Sequence, residues 1–326
     1  MEHVILVTVT FNSSHFLNRL VEAAAKQTYP LDKIVCVDNA SRPEHTVVLK
    51  ELQGKYPMLE IVRSEENLGG GGGFQKGTEY VLDHYPECDW VWIMDDDAFP
   101  REDCLECLLQ HKDISNVGAL VPFIFGVELQ EYQYIHHKRL SKYLDTDISI
   151  GKSLDDFNDV TEVETNAFVG PLVKMSIMKE IGVPNGELFI YGDDTEYMYR
   201  ISRKYKVCLI KGAVINHRDI IADTKTKNDR GFWKTYYRYR NRLLFIEEFK
   251  KDDKSGRIGK RIVVKQALKD CAKSLLKKEY AGNRLLRVKC LLSAVKDGLN
   301  GKYGKIIDPI EFSKKINFLH DGISKK

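Results

Sequence analysis

The feature that most constrains this chain is an alternation within its first hundred residues. Short apolar, β-branched runs recur at Val4–Val9, Ile34–Val37, Glu60–Ser64 and Trp90–Met94, and each predicts a strand. Between them the pattern predicts helices over His15–Gln27, His45–Lys55 and Phe74–His84, the first capped by Asn12, Ser13 and Ser14. Strand–helix–strand order requires crossover connections, and so an α/β fold with a doubly wound, mostly parallel sheet. In such sheets ligands bind beyond the carboxyl ends of the strands. Four polar clusters fall at those ends: Thr8–Asn12, Asp38–Ser41, Asn67–Gly73 and Asp95–Asp97.

Beyond residue 160 the sequence is mixed. "NAFVGPLVK" predicts a short strand or turn, and "ELFIYGDDTEYMYRISRKY" opens apolar and becomes helical. "VCLIKGAVINH" predicts a strand ending at His217, and from "FWKTYYRYRNRLLF" the chain reads as helical and basic. The expected division is a catalytic domain over residues 1–245 and a basic helical region over 246–326. No apolar run approaches the roughly 20 residues a membrane helix needs. The opening "MEHVILVTVTFN" reads as a first strand rather than a signal peptide. Seven scattered cysteines suggest reduced thiols in a cytoplasm, and the lone Cys104-Leu-Glu-Cys107 reads as helix thiols rather than zinc ligands.

The net charge of +3 hides an asymmetry. Residues 250–326 hold 21 Lys/Arg against 8 Asp/Glu, a balance of +13, while the other 249 residues carry 29 against 39, a balance of −10. A basic amphipathic tail suits an anionic membrane surface, or packs as a helical cap with a solvated face. Tyr236, Tyr237 and Tyr239 interleave with Arg238, Arg240 and Arg242, as in some nucleic-acid binders. The acidic body and the lack of a known module argue against that partner.

Four motifs carry chemistry. Asp95, Asp96 and Asp97 close an apolar strand, where mutual repulsion and desolvation favour neutralisation by a divalent cation. Alternation allows Asp95 and Asp97 to share a face, although acidic runs are also common as solvated turns. The five glycines Gly69–Gly73 predict a loop between strand and helix, either a flexible turn or a backbone cradle for phosphate. Asp193, Asp194 and Glu196 open a helix, either as dipole-favoured caps or as a general base beside a pocket. His217 ends a strand as a structural histidine or a third metal ligand, whereas His136 and His137 have no ligand spacing.

Together, "VTVTFN", "CVDNAS", "WIMDDDAFP" and "GDDTEYMYR…INH" resemble the family 2 glycosyltransferases of GT-A fold over roughly residues 3–245. With "NLGGGGGFQKG", the chain looks most similar to bacterial galactofuranosyltransferases and rhamnosyltransferases. The resemblance implies donor contacts from Thr8, Phe11, Asp38, Asn39, Asn67, Gly71, Gly72 and Asp96. It implies Mn²⁺ or Mg²⁺ on Asp95, Asp97 and His217, and Asp194 as base, with Asp193 and Glu196 as rivals. Where related enzymes often carry an aromatic pair ahead of the acceptor motif, this chain has Asn166-Ala167-Phe168. The implied activity is inverting transfer of galactofuranose from UDP-galactofuranose to a glycan or lipid-linked glycan in cell-surface polysaccharide synthesis. Transfer from dTDP-rhamnose is the alternative, and a sugar nucleotidyltransferase a distant one. The implied location is the cytoplasm, at the inner face of the plasma membrane.

Overall fold

The computed structural model describes residues 1–218 and 229–316. The stretch 219–228 and the last ten residues of the basic tail lie outside the described residues. Contacts divide the chain into two compact units. The first comprises Met1–Arg139, Ile148–Gly186 and Asp193–Ile220. The second comprises Leu140–Asp147, Glu187–Gly192 and Ile221–Lys326.

The first unit is built on strands β1 (Val4–Thr10), β2 (Lys33–Asp38), β3 (Leu59–Arg63), β4 (Trp90–Asp95), β5 (Ala98–Pro100), β6 (Val117–Gly126) and β7 (Glu131–Tyr132). After short strands β8 (Lys138–Leu140) and β9 (Asp147–Ser149) come β10 (Val160–Val163), β11 (Val169–Lys174) and β12 (Lys206–His217). Its helices are α1 (Ser14–Ala25), α2 (Pro43–Lys55), α3 (Gly69–His84), α4 (Cys104–Leu109), α5 (Met175–Ile181) and α6 (Asp193–Ser202).

The sheet order is β10-β12-β6-β11-β4-β1-β2-β3, with β5 added to β12 and β7 to β6. The predicted strands β3, β2, β1 and β4 run parallel, and β12 is parallel to β6. β11 enters between β4 and β6 antiparallel to both, so the doubly wound half continues into a mixed half.

Period-two alternation sorts the buried strand residues onto two faces. Val4, Leu6, Trp90 and Trp92 join Leu17, Leu20, Leu49, Leu52 and Leu105 of α1, α2 and α4. Ile5, Val7, Val91 and Ile93 join Phe74, Val81, Met178, Tyr197 and Met198 of α3, α5 and α6. Carried one step past Ile93, this alternation assigns Asp95 to the α3 and α6 side.

The glycines are the main correction to the sequence reading. Gly69–Gly73 form the opening turns of α3 rather than a loop. Only Gly69 among the five has positive φ, at 73°. Gly71, Gly72 and Gly73 are explained by proximity. A Cβ on Gly73 would fall 2.5 Å from Val9 Cγ1, and one on Gly77, a turn later, 2.6 Å from Val7 Cγ1. A Cβ on Gly71 would lie 3.2 Å from the Asn185 carbonyl and 3.3 Å from Asp193 Cβ. A bare helix face thus lies directly on β1 and beside the start of α6. Tertiary contact overrides the roughly 1 kcal/mol that each glycine costs a helix relative to alanine.

The second unit contains α7 (Trp233–Lys250), α8 (Lys254–Leu276), α9 (Arg284–Leu299) and α10 (Pro309–Lys314). The expected domain boundary at residue 245 falls within α7. Within this unit Arg240 is fully buried, an arrangement that demands partners for its charge. Its guanidinium donates to the carbonyls of Leu188 (2.9 Å), Gly304 (2.7 Å) and Lys302 (3.3 Å). Next to it, Asn241 Nδ2 donates to Leu188, Ile190 and Tyr191 carbonyls at 3.0, 2.9 and 2.6 Å. These bonds hold a strained strip: Phe189 and Tyr191 have φ of 66° and 63°, and Gly192 85°. Tyr236, Tyr237 and Tyr239 are buried as well, so these aromatics pack inward. Among the described residues no helix is long and apolar enough to cross a membrane. None of the seven cysteines is disulfide-bonded.

Candidate active site

Strand pairing brings the metal-ligand candidates together. β5 folds back antiparallel on β12 in a register that sets His217 opposite Ala98, one residue from Asp97. His217 Nε2 lies 3.4 Å from Asp97 Oδ1. One ligand atom from each of Asp95, Asp97 and His217 lies within 4.8 Å of the others. Two carboxylates and an imidazole form a donor set suited to Mn²⁺ or Mg²⁺. The electrostatics agree. Burial, then the charges of Asp97, Asp96, Asp193 and Asp194, drive the Asp95 pKa well above its usual range. Asp96 is pushed up to about 7, chiefly by burial. Burial also acts to raise Asp97, but the adjacent His217 imidazole, a backbone hydrogen bond and the Arg218 charge together outweigh it and hold the group low. Clustered acids that resist ionisation are a ready place for a cation.

The acid pair opens α6 on the same side. Asp193 is 7% exposed, and burial and the neighbouring Asp194 charge push its pKa up to about 8. Asp194 is half-buried and accepts hydrogen bonds from the amide and hydroxyl of Thr195. Two adjacent carboxyls of unequal burial are an arrangement in which one keeps a proton and the other accepts one. Glu196 is placed differently. It is 1% exposed, and both its oxygens receive Arg200, Nε at 2.8 Å and Nη2 at 2.9 Å. Arg200 also donates to the carbonyls of Ile181 and Val183, so Glu196 is engaged in holding the arginine that ties α6 to the end of α5.

The expected donor residues divide into two groups. Phe11, 40% exposed, lies open just past β1. Thr8, three residues earlier, is wholly covered between Cys36 and Met94 of the flanking strands. Asp38 is also fully buried, with Oδ1 on the Ser41 amide and Oδ2 on Arg63. Asn39 and Asn67 serve the chain itself. Asn39 Oδ1 accepts the Leu68 amide (2.8 Å) while its Nδ2 donates to the Gly69 carbonyl (2.9 Å). Asn67 Oδ1 accepts the Gly69 amide at 2.8 Å. Together they fix the start of α3. Gly71 and Gly72 belong to its first turns, with Gly71 against Asp193.

Three residues missed by the sequence reading matter here. Arg63 is the half-exposed partner of buried Asp38 and also donates to the Ser41 carbonyl. Its place at the end of a strand was the available signal. Gln133 and His136 flank His217, the two histidine rings 5.7 Å apart and nearly perpendicular. Nothing in the sequence relates them to residue 217, because β6 and β12 create the proximity.

Residues 5–182 match the model of glycosyl transferase family 2. This chain belongs to that family. Among relatives, the galactofuranosyltransferase GlfT1 of Mycolicibacterium smegmatis is 27% identical over 210 residues, 62% of this chain and 66% of that protein. The Mycobacterium tuberculosis GlfT1 is 27% identical over 209 residues, 62% of this chain and 65% of the relative. The chain therefore spans just under two thirds of either relative. Solved structures show that this family 2 member has the GT-A glycosyltransferase fold. GalNAc-T7 with UDP, GalNAc and Mn²⁺ superposes with a TM-score of 0.61 at 13% identity, covering 90% of this chain and 55% of that one. The mannosyltransferase PcManGT of Pyrobaculum calidifontis, with GDP-Man and Mn²⁺, gives 0.53 at 15% identity, covering 91% and 87%.

Proposed function

We propose that this family 2 protein transfers a hexosyl group, by inversion, from a nucleoside-diphosphate sugar to an acceptor hydroxyl. The observation that carries the reading is that Asp95, Asp97 and His217 converge within electrostatic reach of the Asp193–Asp194 pair. Asp95, Asp97 and His217 would hold Mn²⁺ or Mg²⁺, which supplies Lewis-acid neutralisation of the departing diphosphate. Asp194, the more accessible acid, takes the acceptor proton as the oxygen attacks the anomeric carbon. Buried Asp193, protonated near neutrality, supports Asp194 without competing for that proton. Phe11 and Arg63 stand at the strand ends where the nucleoside would lie. The GlfT1 relatives support galactofuranose as the sugar transferred; UDP as its carrier and a glycan or lipid-linked glycan as acceptor follow from the sequence resemblance.

Purified protein with Mn²⁺ or Mg²⁺ across a panel of nucleotide sugars tests this. Metal-dependent UDP release from UDP-galactofuranose is expected, together with a loss on the order of 10²–10⁴ in rate for a folded Asp194→Asn. Release from dTDP-rhamnose alone would reassign the sugar. Undiminished turnover by Asp194→Asn would remove the base assignment.

A second reading concerns location. In α9, Leu285, Leu292 and Leu299 recur every seven residues and are 71%, 47% and 52% exposed, with exposed Lys289 and Lys296 between them. We propose that this stripe rests on an anionic membrane surface, as basic amphipathic helices do. Flotation with anionic vesicles should be lost on changing the three leucines to serine. Equal flotation of that variant would dismiss the idea.

A further inference from the structure

His217 has two distinct nitrogens, and only one can face a cation. Nε2 points to Asp97. Nδ1 lies 3.1 Å from Gln133 Oε1. The same oxygen lies 2.9 Å from His136 Nε2. A carboxamide oxygen only accepts, and an amide nitrogen only donates. The orientation of the carboxamide has its own support: Gln133 Nε2 faces the Arg218 carbonyl at 3.5 Å, which calls for a donor. The backbone of Gln133 is fixed too, its amide donating to the Ile124 carbonyl of β6 at 2.8 Å.

We infer that Gln133 is a positioning residue that holds His217 as its Nδ1–H tautomer, presenting the bare Nε2 lone pair beside Asp95 and Asp97. This rests on reading those three residues as a divalent-cation site. With the other tautomer, Nε2–H would donate to Asp97 and turn a hydrogen toward the position of the cation. Partners that fix a ligating histidine in this way typically alter metal affinity about 10–100-fold. His136 donates to the second lone pair of the same oxygen, which keeps the carboxamide from rotating.

The test uses the full chain without donor sugar. Mn²⁺ titration should show Gln133→Leu binding about 10–100-fold more weakly than wild type. Gln133→Glu, which restores an acceptor, should bind within a few-fold of wild type or more tightly. Long-range ¹H–¹⁵N correlation spectra of histidine-labelled, metal-free protein read the tautomer directly. Wild type should show Nδ1–H at His217, and Gln133→Leu a mixture. A folded Gln133→Leu with unchanged Mn²⁺ affinity, or a wild-type His217 protonated on Nε2, overturns the proposal. If Gln133→Leu does not fold, the wild-type spectrum alone decides. If wild type binds neither Mn²⁺ nor Mg²⁺, the cation-site reading fails, while the spectrum still judges the Gln133 contact.

Discussion

Replacing Gly73 by alanine tests why a helix opens on five glycines. The new Cβ would sit 2.5 and 2.9 Å from the two methyl carbons of Val9. Carbon–carbon contacts are optimal at about 3.5–4.0 Å, so strand and helix must separate by roughly 1 Å. Val9 cannot rotate out of the way, because both methyls already face the glycine and its χ1 is stiff. Nor can the strand give easily, since Val9 is in register with Val37 on one side and Asp95 on the other. Overpacking of this kind costs about 1–3 kcal/mol. Alanine at a helical position returns up to about 1 kcal/mol of propensity. Gly54 in α2 supplies the control, because a Cβ there meets nothing within 4 Å. The propensity terms largely cancel in the comparison. Gly73→Ala should therefore be less stable than Gly54→Ala by about 1–3 kcal/mol in urea titrations. Adding Val9→Ala should recover much of that difference as a coupling energy. If the two single variants are equally stable, or Val9→Ala brings no coupling, the glycines are not there for close packing.

Two further outcomes follow from burial. His137 is fully buried, and burial pushes its pKa down to about 4 from an ordinary 6.5. The native state then binds fewer protons than the unfolded chain, so His137's stabilising contribution is complete above pH 6.5 and is lost as pH falls through 4. At about 1.4 kcal/mol per unit this amounts to roughly 3 kcal/mol, and His137→Gln should flatten the pH dependence of unfolding free energy in that window. An unchanged slope would place the acid sensitivity elsewhere. Arg240→Met should cost about 2–4 kcal/mol, since the carbonyls of Leu188, Lys302 and Gly304 lose their donor. Hydrogen exchange should then rise in residues 187–192, and protection equal to wild type would contradict the clamp.

Much of the parallel half was legible in the sequence because β-branched runs and short crossovers leave few alternatives. The stretch "VGALVPFIFG" passed unread: β6 is buried on both faces, so it shows no alternation, and Pro122 and two glycines disguise it. The glycine run misled for the opposite reason, since local propensity argued against the helix that packing imposes. The pairing of β5 with β12, which brings Asp97 to His217, joins segments over a hundred residues apart and leaves no local trace. Thr8 illustrates a subtler point. Its motif suggested a ligand contact, but three residues back along a central strand is already deep in the sheet.

The clamp around Arg240 also sets an order of events on the ribosome. The strip Glu187–Gly192, which leads directly into Asp193, has its carbonyl and amide partners in residues made much later. Arg240 and Asn241 follow by about fifty residues, and Gly304, whose amide meets the Glu187 carbonyl at 2.8 Å, by 117. At about 5–20 residues per second, the strip emerges roughly 6–23 s before its last partner exists. Until Arg240 and Asn241 are made the strip's left-handed residues lack their side-chain donors, and until Gly304 is made the clamp is incomplete, so the acids that follow are made before their lead-in can settle. A stop or a pause late in the message would therefore be felt at the strip beside the acid pair, although nearly all of the sheet had already been synthesised.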